Sequence, residues 1–264
     1  MTAEREIDKK LPILRIKDLR LSFGGLNVLN RVTFEVERGT IFALIGPNGS
    51  GKTSILNCIN RFYIPQKGTI VFDEYDISKV SSKDVTKAGV ARTFQNIALF
   101  KGMSVLDNIK VGRHIFMKTG LFVGGLYFGK GQQEELRERK FIEEEIIEVL
   151  KLESIRDTLV GNLPYGKQKL VELARALALH PKLLLLDEPS AGMNQEETED
   201  IIRYILDIKL LWSLAILLVE HNMEVIFDLA ESCCVLNNGE VIAFGTPESV
   251  QRDKEVIKAY IGDL

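Results

Sequence analysis

Hydrophobic and polar positions alternate with period two through the first part of the chain. Leu14 and Ile16, then Leu19, Leu21 and Phe23, stand between charged or polar residues, and Val32, Phe34 and Val36 repeat the pattern. This alternation predicts strands with one face buried. IFALIG (41–46) is apolar throughout, which predicts a strand buried on both faces. After it come a glycine-rich turn and a helix over 52–61, and GTIVFDEY (68–75) reads as a further strand.

From about residue 102 to 162 the pattern changes. GLFVGGLYFGKG (120–131) is a glycine-punctuated apolar loop, and QQEELRERKFIEEEIIEVLKL (132–152) predicts one charged amphipathic helix. Leu170, Leu173, Ala174 and Leu177 recur at helical spacing, so a helix begins near Gly166 and its charged positions read as a solvated face. Beyond it, apolar strands at 183–186 and 214–219 alternate with helices at 195–211 and 223–230. Such alternation predicts parallel strands joined by crossover helices, an α/β core. Asn-Gly within 234–245 marks a hairpin, and Thr246-Pro247 marks a helix start.

Composition narrows the class. The chain has 264 residues, 45% hydrophobic and 27% charged, with a net charge of −3, so nothing in the charge balance favours a nucleic-acid partner. The three cysteines (Cys58, Cys233, Cys234) lack metal-ligand spacing and read as reduced core residues. The charged start MTAEREIDKK has no signal-peptide character, and no run approaches the roughly 18 apolar residues that span a bilayer. Any attachment to a membrane is expected to come through a partner.

GPNGSGKT (46–53) follows the buried strand and opens a helix, matching G-x-x-x-x-G-K-[ST] in the context that pattern requires. A triphosphate needs several backbone N–H groups converging on it. Gly46, Gly49 and Gly51 allow close approach, and Pro47, Asn48 and Ser50 complete the loop. The following helix aims its N-terminal amides at the same oxygens. Lys52 supplies a positive charge for the β- and γ-phosphates, and the Thr53 hydroxyl suits Mg²⁺. A nucleoside triphosphate and Mg²⁺ are the ligands this loop implies.

LLLLDEPSAGMN (183–194) delivers two carboxylates to the carboxyl end of a core strand, the edge where ligands bind in such sheets. There Asp187 would hold the metal and Glu188 would deprotonate an attacking water. His221 comes just after the next apolar strand, which puts it beside Glu188 near the γ-phosphate. His114 and His180 lack that context and read as structural.

In order, the loop at 46–53, RTFQ ending at Gln95, the 163–176 stretch, LLLLDEP and His221 resemble the ATP-binding subunits of ABC transporters, over about Leu14 to Val250. No Asn-Lys-x-Asp occurs, which argues against a GTPase. The resemblance implies a single nucleotide-binding domain over 12–252. Its P-loop core of mainly parallel strands would carry an antiparallel β subdomain and an inserted helical subdomain at about 102–178. A helical tail would cover 253–264. It also implies that Gln95 touches metal and water, that Phe23 stacks on adenine, and that Tyr165, Gly166 and Lys167 cap ATP bound by an opposite subunit.

RTFQNIALFKGMSVLDNI (92–109), the 115–131 insertion, EPSAGMN and the ending GTPESV…VIKAYIGDL further resemble the longer ATPase subunit of branched-chain amino acid importers. Relatives handling urea or amides, lipid or lipopolysaccharide exporters, and non-transport ATPases acting on DNA or ribosomes are the alternatives. The last usually carry coiled coils or two fused cassettes, and this chain has neither. The expected partners are membrane-spanning permease subunits, a second ATP-binding subunit, and a periplasmic or extracellular substrate-binding protein. The expected place is the cytoplasmic face of the inner membrane. Two departures stand out: Pro164 and Lys167 replace the family's serine and glutamine in the signature loop, and Asn194 replaces its D-loop aspartate. Asn194 with Glu197 also fits a capping box.

Overall fold

The computed structural model describes residues 11–95, 97–114 and 130–261. The charged start and most of the 115–131 insertion lie outside these residues.

The antiparallel sheet has the order β2-β1-β4-β5, built from β1 (Leu14–Phe23), β2 (Leu26–Val36), β4 (Lys67–Phe72) and β5 (Tyr75–Asp76). The second sheet has the order β10-β9-β3-β8-β7-β6, with β3 (Ile41–Ile45), β6 (Val90–Arg92), β7 (Leu183–Asp187), β8 (Ala215–Val219), β9 (Ser232–Asn237) and β10 (Glu240–Gly245). All its neighbours run parallel except the β9–β10 hairpin. The helices are α1 (Lys52–Ile59), α2 (Ser82–Ala88), α3 (Val105–Arg113), α4 (Lys130–Ile142), α5 (Tyr165–Leu177), α6 (Gln195–Trp212), α7 (Met223–Leu229), α8 (Pro247–Gln251) and α9 (Lys254–Ile261). The α/β expectation is borne out.

Strand periodicity distributes the cores. Leu183 and Leu185 of β7 face the antiparallel sheet, packing with Leu14, Ile16 and Phe72. Leu184 and Leu186 face the opposite way, onto α3, α5 and α6 through Ile109, Leu173 and Ile205. A strand buried on both faces must be apolar at every position, which is the run seen in the sequence. In β1 the spacing from Ile16 to Leu19 breaks the alternation. Asp18 takes it up with φ 50°, its N–H donating to Thr33 Oγ1 at 2.9 Å, and the register shifts there.

Three expectations need correction. The stretch 68–75 is not one strand: Asp73 and Glu74 take φ 46° and 71° and turn the chain into β5. The helix over 52–61 ends at Ile59, and Arg61 has φ 62°. The expected helix over 132–152 ends as an α-helix at Ile142 and continues as a π-helical turn, Glu143–Ile147. Adjacent Ile146 and Ile147 of this turn are both buried in the core.

Among the described residues, no helix is long and apolar enough to cross a membrane.

Candidate functional site

The register of the parallel sheet assembles the site. Asp187 pairs with Val219, and Val219 with Leu44, so β3, β7 and β8 end at one level. The loops that follow carry residues 46–53, Glu188 and His221 to a common edge, as the strand-end argument expects.

The phosphate loop is shaped by close approach. Gly46 has φ 147°, and a Cβ there would lie 2.1 Å from the Leu236 carbonyl oxygen of β9, so no other residue fits against that strand. Ser50 is buried with its N–H donating to Pro47 O at 3.2 Å, while Asn48, Gly49 and Thr53 are exposed. Lys52, the first residue of α1, is 5% exposed, and its ammonium donates to Gly46 O at 2.8 Å and Pro47 O at 2.9 Å. Burial lowers its pKa, and the charges of Glu188 and Asp187 oppose that shift.

Glu188 has φ 51°, a left-handed conformation that costs an ordinary residue about 1–2 kcal/mol. Its N–H donates to Val219 O at 2.9 Å. In this pose one carboxylate oxygen accepts from Gln95 Nε2 at 2.8 Å, and the other stands 3.0 Å from His221 Nε2. The three residues placed together from sequence are in contact. Strained backbone of this kind persists where its surroundings over-determine it.

Part of that support was not foreseen. Glu220, 3% exposed, accepts from the N–H of Ser190 at 3.0 Å and of His221 at 2.9 Å, tying the loop after β7 to the loop after β8. A carboxylate directly after an apolar strand, as at Asp187, was the available signal. Arg92 is the second such residue. It donates to Asp187 Oδ2 at 2.7 Å and to Asn57 Oδ1 of α1 at 2.6 Å, and its guanidinium lies 5.2 Å from the Phe94 ring centroid. Asp187 is therefore an ion-pair partner as well as a candidate metal ligand.

Beyond Lys167 the charged side chains of α5 are not solvated, contrary to expectation. Lys169 and Glu172 are 5% and 2% exposed and, with Arg175, grip the segment around Gln95. At the start of this helix Gly166 is buried, and a Cβ there would lie 2.3 Å from Glu197 Oε1. Glu197 is held by the foreseen capping box: Asn194 Oδ1 accepts from Glu197 N at 2.9 Å, and Glu197 Oε2 accepts from Asn194 N at 3.1 Å. Tyr165 and Lys167 are exposed, with the Tyr165 ring against Gly192. Phe23 is 47% exposed and meets Tyr63 edge-on, centroids 5.0 Å apart.

Thr53, Asp187 and Gln95 offer only oxygen donors, the set a hard cation such as Mg²⁺ prefers. Among the described residues there is no cluster of three or more His, Cys, Asp or Glu able to hold a metal. The donors therefore fit an ion shared with phosphate oxygens, not one caged by protein alone.

Residues 29–191 match the family model described as ABC transporter, and residues 240–263 the one described as branched-chain amino acid ATP-binding cassette transporter. The high-affinity branched-chain amino acid transport ATP-binding protein BraF of Pseudomonas aeruginosa is 36% identical over 252 residues, 96% of this chain and 98% of BraF. Its counterpart LivG of Escherichia coli (strain K12) is 37% identical over 256 residues, 96% of this chain and 98% of LivG. Among solved structures, the ADP conformation of MJ1267, an ATP-binding cassette of an ABC transporter, superposes with a TM-score of 0.83 at 31% identity, covering 96% of this chain and all of that one.

Proposed function

This chain belongs to the ABC transporter family of ATP-binding cassettes, and from that premise we propose that it hydrolyses ATP to energise an importer of branched-chain amino acids. The substrate class rests on the names of BraF and LivG and on the match at residues 240–263. The catalytic reading rests on one observation above all: Glu188, held in a left-handed turn between Gln95 and His221 at the edge that carries the phosphate loop.

Backbone N–H groups of Gly46 and of residues 48–53 would bind the phosphates, with the ring of Phe23 under the adenine. Lys52 would exchange its bonds to Gly46 O and Pro47 O for β- and γ-phosphate oxygens. Glu188 would take a proton from water as the water oxygen bonds to the γ-phosphorus and the bond to ADP breaks. Gln95 and His221 would orient that carboxylate. Thr53 and Gln95, with Asp187, would hold Mg²⁺, which supplies positive charge against the phosphate oxygens. Tyr165, Gly166, Lys167 and Asn194 would face nucleotide bound by a second ATP-binding subunit.

We read residues 12–252 as one nucleotide-binding domain with a helical subdomain at about 102–178. Membrane-spanning permease subunits would hold the protein at the membrane, and a substrate-binding protein would deliver the amino acid.

The test is Glu188→Gln in the complex with its permease, reconstituted in vesicles. The variant should bind ATP as the wild type does, accumulate as ATP-bound pairs and lose nearly all hydrolysis, because it removes a base without changing shape. Turnover near the wild-type rate would remove Glu188 from this role. Wild-type vesicles should accumulate leucine, isoleucine or valine with ATP; uptake of urea alone, or outward movement of lipid, would overturn the substrate assignment.

A further inference from the structure

The polar face of α5 meets the segment around Gln95 through three buried or half-buried side chains at three-residue spacing. Lys169 Nζ donates to Gln95 O at 2.8 Å and to Phe94 O at 3.4 Å. Glu172 Oε1 accepts from Phe94 N at 3.4 Å, and Arg175 Nη1 donates to Ala98 O at 2.6 Å. Residues three apart lie on one helical face, so one rigid helix clamps this segment.

Two polar atoms beside this clamp are buried without a well-formed hydrogen bond: Thr93 Oγ1, and Glu172 Oε2 of a carboxylate that the Phe94 and Ala98 N–H groups also influence. Their residues are 6% and 2% exposed. Both residues line one small cavity with Lys169, roofed by Leu186, Ile201 and Ile205, offering about 10 Å³ to the centre of a water molecule. That is roughly the smallest space that holds one water, and a water there needs two to four polar partners. A buried carboxylate oxygen and hydroxyl without a well-formed hydrogen bond are otherwise costly, and native proteins rarely leave them so.

We propose that Thr93, Lys169 and Glu172 enclose one ordered water molecule, and that this site makes Lys169 and Glu172 positioning residues for Gln95. A water can donate to Glu172 Oε2 and accept from the ammonium and the hydroxyl at once. A cation would sit against the Lys169 ammonium, and an anion against the Glu172 carboxylate, so the mixed lining selects a neutral molecule that both donates and accepts. Burial raises the Glu172 pKa, and a water suits either protonation state of that group. The consequence reaches the chemistry through backbone. Thr93 N donates to Leu185 O of β7 at 3.0 Å, and Gln95 reaches Glu188 beyond the end of that strand. Fixing both ends of the Thr93–Gln95 segment fixes where the Gln95 amide can stand.

The effect on turnover rests on the ATPase reading above; the water site does not. A high-resolution crystal structure of the wild-type protein should show one density peak within hydrogen-bond distance of Thr93 Oγ1, Glu172 Oε2 and Lys169 Nζ. A dry cavity or a bound ion overturns the proposal. Thr93→Val keeps shape and removes the hydroxyl. With ATP saturating it should lower kcat about tenfold with KM unchanged, the scale of one lost buried hydrogen bond, and Thr93→Ser should restore it. Unchanged kcat, or kcat and KM moving together in a protein of lowered thermal midpoint, overturns the positioning role. Should Thr93→Val not fold, Glu172→Gln provides the same comparison. If the wild type itself fails to hydrolyse ATP, the ATPase reading falls, while the crystallographic test of the water still stands.

Discussion

Arg92 and Asp187 form the most deeply buried ion pair among the described residues, Nη2 to Oδ2 at 2.7 Å, with 5% and 2% of their side chains exposed. Because Arg92 also holds Asn57, this pair joins the helix that opens at Lys52 to the strand that ends at Asp187. Removing one member of a buried pair leaves an uncompensated charge and typically costs about 3–5 kcal/mol. Arg92→Met should therefore lower the unfolding free energy obtained from urea titration by that order and also weaken the apparent Mg²⁺ dependence of nucleotide binding. Arg92→Lys should recover part of the stability, since it restores a charge but not both contacts. Stability within about 0.5 kcal/mol of wild type in Arg92→Met would show that the pair contributes little.

Gly166 and Glu197 yield a sign change. With Glu197 present, Gly166→Ala places a methyl where the carboxylate stands, and overpacking of that kind costs roughly 1–3 kcal/mol. In a Glu197→Ala background the obstruction is gone, and alanine in a helix is favoured over glycine by up to about 1 kcal/mol. The same substitution should destabilise one protein and stabilise the other in a thermal-unfolding cycle. Equal effects in both backgrounds would mean that Glu197 does not dictate the glycine.

Phe23 offers an exposed ring face braced edge-on by Tyr63. Base stacking on an aromatic side chain is worth about 1–3 kcal/mol by alanine substitution. Phe23→Ala should weaken ATP binding about tenfold or more by calorimetry, and Phe23→Tyr should leave it near wild type. An alanine variant with wild-type affinity would place the adenine elsewhere.

The cysteines set an alkaline limit. Burial pushes the Cys58, Cys233 and Cys234 thiols up to about 12 from an ordinary 9.0. The folded state thus keeps protons that the unfolded state loses, and stability present below pH 9 should fall as pH rises towards 12. Each thiol adds at most about 1.4 kcal/mol per pH unit to the slope. Urea unfolding between pH 8 and 10.5 should show the decline, less steeply in Cys58→Ala. An identical slope in that variant would exclude Cys58 as a contributor.

What the sequence made legible was chemistry carried by neighbours in the chain. The phosphate loop is eight consecutive residues after an apolar strand, and Asp187, Glu188 and His221 each sit where a strand must end. The capping box of Asn194 and Glu197 lies within one helical turn. What stayed hidden depends on partners far along the chain. Lys169 and Glu172 look like a solvated helical face until the Gln95 segment folds over them, and charged residues usually face water. Arg92 opens the RTFQ motif, yet its bond to Asp187 needs β6 beside β7. The turn at Asp73 and Glu74 has no glycine to announce it, and the π-helical turn at Glu143–Ile147 conflicts with the 3.6-residue period used to find helices.

The strand order has a consequence for the birth of the protein. The strands β1, β2, β4 and β5 all lie before residue 77, so the antiparallel sheet can pair soon after it leaves the ribosome. The strand that carries the phosphate loop cannot: β3 is flanked by β8 and β9, which are synthesised only after α1 to α6. Until β8 emerges its apolar residues have no sheet to join, and non-local pairing of this kind is slow and open to aggregation. A truncated chain ending before Ala215 should therefore expose β3 to proteolysis and bind no ATP, so nucleotide binding reports that synthesis has passed β8.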